Sequence, residues 1–284
     1  MPLLRMGDTV GLISCSDGLY PEEQSAIISI EQTLNSLGLK VMKATTLYRS
    51  TRSPFSGTHQ ERAAELMCLV NNAEIKAIFD ISGGDSANQI LNDLNFEQIR
   101  ESNSPFIGMS DLSVINNAIY AQTGKSSYHY RVKNLAGNFP QAQQVFTHAF
   151  MEDHDAPSFQ YRWLRGQEMS GTIIGGNIRC FLKLAGTPYF PDPTNKILFL
   201  EALGGGSARM ASLLAQLDQL AVFQQCSGVL LGTFSSMQAK HDQPSIEQLV
   251  LEVTDRYHLP VAKTEQLGHR EDAHCLPIGA SIRL

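Results

Sequence analysis

Ile107-Gly108-Met109-Ser110-Asp111-Leu112-Ser113 is the segment of this 284-residue sequence best suited to nucleophilic chemistry: an apolar strand-like run turns into a helix with a serine at the corner. Such a corner lifts a hydroxyl above a sheet, while the helix N-terminus and nearby N–H groups can stabilise an oxyanion. It is not G-x-S-x-G, because Leu112 stands at the second glycine. The plainer alternative is that Ser110 or Asp111 caps the helix. A nucleophilic serine needs a base, and the base needs an orienting acceptor. Of the eight histidines, His154, His241 and His258 lie in polar loop or helix-end contexts, His148 on a helix face and His59 near a helix start. His269 follows a glycine in a loop between two apolar runs, and His129, in Ser127-Tyr128-His129-Tyr130, is its nearest competitor. For the acid, Glu201 ends the apolar run Lys196 to Leu200, where a side chain emerges at a strand terminus; an ion pair with Arg209 is the alternative.

The elements that must position these groups alternate strand and helix. Thr9 to Ser14 is β-rich, and Glu22 to Leu37 carries Ile27, Ile28, Ile30, Leu34 and Leu37 at helical spacing. Lys40 to Met42 is a short strand followed by a polar loop, Tyr48 to Thr58; Thr58 and Glu61 form a capping box for a helix to about Asn71. Ala77 to Phe79 and Pro105 to Gly108 are further strands, each leading into a helix near Ser86 or Asp111. Repeated βα alternation implies an α/β fold with a parallel sheet covered on both faces. Between Gly137 and Gly171 the pattern loosens, and Asn138, Pro140 and Glu152-Asp153-His154-Asp155 read as a connector. The expected division is residues 1–160, carrying the serine corner, and 161–284, carrying Glu201 and His269. The second part offers strands at Gly171 to Ile174, Lys196 to Leu200 and Gly228 to Leu231. Helices are expected at Asn177 to Leu184, Ala208 to Leu220 and Ser245 to Arg256, which makes a second, smaller α/β layer. Glycines cluster at strand ends (Gly83-Gly84, Gly108, Gly175-Gly176, Gly204 to Gly206), where doubly wound sheets bind ligands and where tight turns also need them.

Composition narrows the function. With 43% apolar and 18% charged residues the chain can bury a large core without metal or disulfide scaffolding. A net charge of −6, with no basic cluster longer than a pair, argues against nucleic acid as a partner. Neither nucleotide fingerprint, G-x-G-x-x-G nor the P-loop, is present. Five scattered cysteines with no C-x-x-C read as small buried hydrophobes in a reducing compartment. No signal-peptide pattern and no membrane-length apolar stretch occurs, so a cytoplasmic protein without a membrane partner is expected. No metal or other cofactor is expected, because the only dense His/Asp/Glu run, Glu152 to Asp155, reads as a solvated loop.

Taken together, Gly108-Met109-Ser110-Asp111, Gly175-Gly176-Asn177, Gly186-Thr187-Pro188, Ile197 to Glu201, Gly268-His269 and Leu276-Pro277-Ile278-Gly279 resemble, in order and spacing, the motifs of the LD-carboxypeptidase and microcin C immunity peptidase family. Phe55-Ser56-Gly57-Thr58 with Glu61-Arg62 resembles a further family signature, so the likeness spans nearly the whole chain. The resemblance implies a Rossmann-like parallel-sheet N-terminal domain and a swivelling α/β C-terminal domain. It implies a serine peptidase with Ser110 as nucleophile, His269 as general base and Glu201 as orienting carboxylate. The oxyanion hole would use the N–H groups of Asp111 and Gly84, and Asp85, Asn177 and Arg209 would line the substrate site. The expected partners are a small peptide or amide substrate and a second copy of the chain in a homodimer.

The pocket departs from the family pattern. The family's R-G-G-Y-G is here Ser82-Gly83-Gly84-Asp85-Ser86, its second arginine after the acid is Ser212, and its H-G-P is replaced by Tyr128-His129-Tyr130. Loss of an arginine and gain of Asp85 should make a free terminal carboxylate less welcome unless Arg131, Lys133 or Arg209 fills the vacancy. Three functions compete. The first is an LD-carboxypeptidase releasing D-alanine from murein tetrapeptide in cell-wall recycling. The second is an immunity-type peptidase or amidase acting on an aminoacyl-nucleotide or other small amide, with Trp163, Tyr128 or Tyr130 offering a face for the base. The third is a catalytically silent α/β binding protein.

Overall fold

The computed structural model describes residues 2–50, 53–137, 140–153 and 159–284. Its first half runs β1 (Thr9–Ile13), α1 (Gln24–Ser36), β2 (Lys40–Lys43), α2 (His59–Asn71), β3 (Ile75–Asp80), α3 (Phe96–Glu101), β4 (Phe106–Ile107), α4 (Ser113–Thr123), β5 (Ser127–His129) and α5 (Pro140–Met151). The second half runs β6 (Arg162–Arg165), β7 (Ser170–Asn177), α6 (Ile178–Phe181), β8 (Lys196–Ala202), α7 (Ser207–Gln219), α8 (Val222–Gln225), β9 (Gly228–Phe234), α9 (Ser235–Lys240), α10 (Ile246–Thr254), β10 (Val261–Lys263), β11 (Leu276–Ile278) and β12 (Ser281–Arg283).

The strands form two six-stranded sheets, ordered β11-β5-β4-β3-β1-β2 and β12-β7-β8-β9-β10-β6. Both have a parallel interior, and the antiparallel partners β11, β12 and β6 occupy edges. Period-two alternation, interrupted by a register shift between Ile75 and Ala77, sorts the side chains of the first sheet. Val10, Leu12, Ala77, Phe79 and Ile107 face α1 and α5, whereas Ile13, Ile75, Ile78 and Phe106 face α2 and α4. Helix α1 answers with Ile27, Ile30 and Leu34 on one stripe, whereas Ile28, expected on the same face, is exposed, one residue round the helix from Ile27. The Thr58–Glu61 capping box forms as expected at the start of α2. In the second sheet Leu198, Leu200, Val229 and Leu231 face α7 and α10, while Ile197, Phe199 and Leu230 pack with Leu276 and Ile278. Strand β11 therefore carries the late chain back to the edge of the first sheet and joins the two layers.

Several expectations need correction. The Gly137 to Gly171 stretch is not a plain connector: α5 occupies Pro140–Met151 and buries Ala142, Phe146 and Phe150, and β6 follows at Arg162–Arg165. Proline at the first helical position lacks only an N–H that would have no intrahelical acceptor, so Pro140 starts this helix instead of breaking it. Asn138, His154 and Asp155 lie outside the described residues. The helix expected near Ser86 is a 3-10 helix, Ala87–Asp93. All five cysteines are free, but Cys68 is exposed instead of buried. Among the described residues no helix is long and apolar enough to cross a membrane.

Candidate functional site

Strand β4 delivers Ser110 at its carboxyl end with φ 64, a left-handed conformation that costs a non-glycine residue roughly 1–2 kcal/mol. Two contacts hold the chain there. Asn116 Nδ2 donates to the Gly108 carbonyl at 2.9 Å, and the Asp111 carboxylate is buried in a web of donors. Asp111 Oδ2 accepts from Ser16 Oγ (2.7 Å) and the Ala87 N–H (2.8 Å), and Oδ1 accepts from Lys183 Nζ (2.5 Å). The corner is thus clamped to the loop after β1, to the 3-10 helix after the glycine turn, and to the second half of the chain.

Glu201 and His269 meet directly. His269 Nδ1 lies 2.5 Å from Glu201 Oε2, and both side chains are almost wholly buried. Asn177 Nδ2 donates to the other carboxylate oxygen at 3.0 Å, a contact set by the sheet register, which pairs Asn177 with Glu201 across β7 and β8. Burial pushes the Glu201 carboxyl up, but the His269 ring, aided by His129 and Asn177, more than offsets this and holds it below the ordinary carboxylate range. The loop bearing His269 is laid on the end of β9, where Thr233 Oγ1 accepts the His269 N–H at 3.2 Å. A Cβ on Gly268 would fall 2.2 Å from that same Oγ1, so only glycine fits before the histidine.

The Gly-Gly-Asn segment joins the serine corner to this pair. Ser113 Oγ, one turn after Ser110, accepts the Asn177 N–H at 2.9 Å, and Asn117 exchanges two hydrogen bonds with the Gly175 backbone (2.8 and 2.7 Å). Gly176 has φ +133, and a Cβ there would come within 2.4 Å of Ser113 Oγ. Helix α4 and strand β7 approach closely only because that side chain is missing. A continuous chain of contacts therefore runs from Ser113 through Asn177 and Glu201 to His269. The Ser110 hydroxyl itself is not hydrogen-bonded to His269 among the described residues. A cleft of about 540 Å³, lined by Gln141, His269, Arg270, Glu271 and Asp272, opens over the histidine.

The remaining candidates distribute differently. Asn177 is buried and its amide is spent on Glu201. Arg209 is exposed on α7, and the acceptor side of Glu201 goes to His269 and Asn177, not to an ion pair with Arg209. Lys133 is held by Glu23 at 2.5 Å. The cations at the Ser82 to Asp85 turn are instead Arg179 and Lys183. Arg179 pairs with Asp85 and donates to the Gly84 carbonyl at 3.1 Å; Lys183 Nζ donates to the Asp85 carbonyl at 2.8 Å. Sequence reasoning passed over both, although their four-residue spacing on the short helical segment after Asn177 was a usable signal.

His129, the competing histidine, is buried edge-on against Phe199 at 5.2 Å, and neither ring nitrogen has a hydrogen-bond partner among the described residues. Burial lowers its pKa to about 4, with His269 acting in the same direction and Glu201 opposing. A folded-state pKa below the unfolded value means that the unfolded chain takes up the proton first, so stability is lost as pH falls from about 6.5 toward about 4. In urea titrations, lowering pH from 7 to 5 should cost roughly 2 kcal/mol more in the wild type than in His129→Asn. Equal acid losses in both proteins would refute a neutral buried His129.

Among the described residues no group of three or more His, Cys, Asp or Glu side chains could hold a metal ion. The arrangement offers a half-buried hydroxyl on a strained corner and an imidazole fixed by a carboxylate, the parts needed for acyl transfer.

Comparison with known proteins identifies the family. The family model of the LD-carboxypeptidase N-terminal domain matches residues 10–130, and that of the C-terminal domain matches residues 170–284. A probable murein peptide carboxypeptidase of Bacillus subtilis is 24% identical over 295 residues, covering 99% of this chain and 90% of that protein. The microcin C7 self-immunity protein of Escherichia coli is 24% identical over 320 residues, covering 99% and 91%. A structure of the microcin C7 self-immunity protein in complex with aspartyl sulfamoyl adenosine superposes with a TM-score of 0.87 at 24% identity, covering 100% of this chain and 94% of that one. With both family domains matched in order over most of its length, the chain belongs to the LD-carboxypeptidase family of peptidases.

Proposed function

We propose that this peptidase is of the serine type and hydrolyses the L-D amide bond of murein tetrapeptide, releasing terminal D-alanine. The observation that carries the chemistry is the 2.5 Å contact between His269 Nδ1 and Glu201 Oε2 on the same framework as the strained Ser110 corner. With Nδ1 held by the carboxylate, Nε2 is left to act as base. Ser110 Oγ attacks the scissile carbonyl as its proton passes to Nε2. The oxyanion is received by the N–H groups of Gly84 and Asp111; the latter opens a helical turn, where N–H groups have no intrahelical acceptor. The protonated imidazole then donates to the leaving amine, and a water activated by the same nitrogen releases the acyl group. Ser110 and His269 come into hydrogen-bond reach when the halves of the chain, divided near residue 160, swivel together over substrate. The reading includes work in the cytoplasm, in cell-wall recycling, as a homodimer.

The relatives named for murein peptide cleavage support this substrate. The likeness to the microcin immunity protein, together with Ser82 and Asp85 at the turn, favours a second reading, hydrolysis of an aminoacyl-nucleotide or other small amide. Purified protein incubated with murein tetrapeptide and with a panel of aminoacyl-nucleotides, followed by mass spectrometry with Ser110→Ala as the blank, separates them. Serine-dependent D-alanine release is the expected result. Cleavage of the nucleotide panel alone would replace the first reading with the second, and turnover of nothing would favour a silent binding protein.

A further inference from the structure

The turn that lost the family's arginine has a guanidinium supplied from elsewhere. We propose that Arg179 receives the free terminal carboxylate of the substrate, and that Asp85 occupies the guanidinium until substrate arrives; the inference rests on the carboxypeptidase reading above.

Arg179 and Lys183 lie one helical turn apart and reach the same loop, but their commitments differ. Lys183 is 18% exposed and holds the buried Asp111 carboxylate, beside Ser110, at 2.5 Å, as well as the Asp85 carbonyl at 2.8 Å. Removing it would strand a buried charge, so it is fixed. Arg179 is 33% exposed, and its charged partner Asp85 is 73% exposed. An ion pair at that exposure is weak and exchanges readily with an incoming anion. The hydrogen bond from Arg179 Nη2 to the Gly84 carbonyl orients the guanidinium plane on the very turn whose N–H is assigned to the oxyanion. The planar fork can then grip a carboxylate through two parallel bonds, as a lysine cannot.

Charge balance gives Asp85 its role. Arg179 and Lys183 face Asp85 and Asp111, so these four charges cancel, while the Asp17 carboxylate, which lies against Gly84 and accepts from Ser86 Oγ, adds a further negative charge at the turn. A substrate carboxylate adds one negative charge beside the developing oxyanion unless Asp85 swings outward. Its high exposure permits this, with Lys183 Nζ, at 3.3 Å from Asp85 Oδ1, remaining within reach. An internal acidic side chain thus competes with the substrate and raises the selectivity for ligands that carry a carboxylate in the right place.

The test compares murein tetrapeptide with its C-terminal amide, with KM and kcat measured separately. Arg179→Gln should raise KM for the free acid 10- to 100-fold and leave KM for the amide within about twofold. Arg179→Lys should recover only part of the loss, and Asp85→Asn should lower KM for the acid several-fold. Equal impairment of both substrates would mean that Arg179 merely braces the Gly84 turn, and no change in either would equally overturn the proposal. If the wild type cleaves neither compound, the substrate reading has failed and calorimetry decides the inference: Ser110→Ala should bind the acid at least 10-fold more tightly than the amide, and Ser110→Ala/Arg179→Gln should lose that difference. Binding without preference, or no binding, overturns it.

Discussion

Ser110→Ala should lower kcat by about 10³- to 10⁶-fold on any substrate that the wild type cleaves, with the protein still folded. The magnitude follows from the proposed role of Ser110 as the nucleophile of a group of residues that act as a unit; what would remain is the contribution of binding and the oxyanion donors. Folding should be spared because alanine keeps the Cβ and therefore the same left-handed cost at φ 64. A companion substitution isolates that cost. Ser110→Gly should be as inactive as the alanine variant but more stable than it by about 1 kcal/mol, since glycine enters the left-handed region freely. Active-site labelling with a fluorophosphonate, read by peptide mass spectrometry, should modify Ser110 and fail in both variants. Full turnover by Ser110→Ala, or labelling of another serine, would remove Ser110 from the mechanism.

Glu201→Gln should lower kcat by about 10³- to 10⁴-fold with little change in KM. The substituted amide has one acceptor oxygen where the carboxylate has two, and both are in use, by Asn177 at 3.0 Å and His269 at 2.5 Å. If the oxygen stays with Asn177, the amide N–H₂ faces His269 Nδ1 and forces the tautomer that carries its proton on Nε2, where it cannot accept from the serine. If the oxygen faces His269, two N–H₂ groups confront each other and the Asn177 anchor is lost. Stability should move little, because the cost of burying the carboxylate disappears together with its favourable contacts. Urea midpoints within about 0.3 M of the wild type, alongside the rate loss, are expected. Retention of full activity in Glu201→Gln would show that the 2.5 Å contact is structural only. The Asn177→Ala variant should fall between the two, since it removes one anchor of the carboxylate but leaves the His269 contact.

Much of the candidate site is legible in the sequence, and for local reasons. A strand running into Gly108-Met109-Ser110-Asp111 carries its own geometry, because Gly108 leaves room where a Cβ would sit 2.7 Å from Leu112 Cβ. The capping box at Thr58 and the apolar stripe of α1 are similarly written in residues a few positions apart. Even the separated motifs Gly175-Gly176-Asn177 and Gly268-His269 announce close approach, since glycines at strand ends mark places where backbone must meet something. The departure over Gly137 to Gly171 is also local: Ala142, Phe146 and Phe150 fall on one helical face, and Pro140, which reads as part of a connector, starts the helix.

What the sequence could not contain is which distant groups share a volume. Glu201 and His269 stand 68 residues apart, and their contact exists because β8 ends against the loop laid over β9. Strand β11 lies in the second half of the chain yet pairs with β5 on the first sheet, while its Leu276 and Ile278 pack onto Phe199 of the second. Ser82-Gly83-Gly84-Asp85 reads, along the chain, as a turn without a cation. In three dimensions Arg179, 95 residues from Gly84, donates to that glycine's carbonyl. Residue types and spacings determined the chemistry available to this protein, because nucleophile, base and acid each need a particular side chain at a particular kind of turn. The charge that surrounds them was decided by the tertiary structure alone, because electrostatic neighbours are set by distance through space, and the sequence records only distance along the chain.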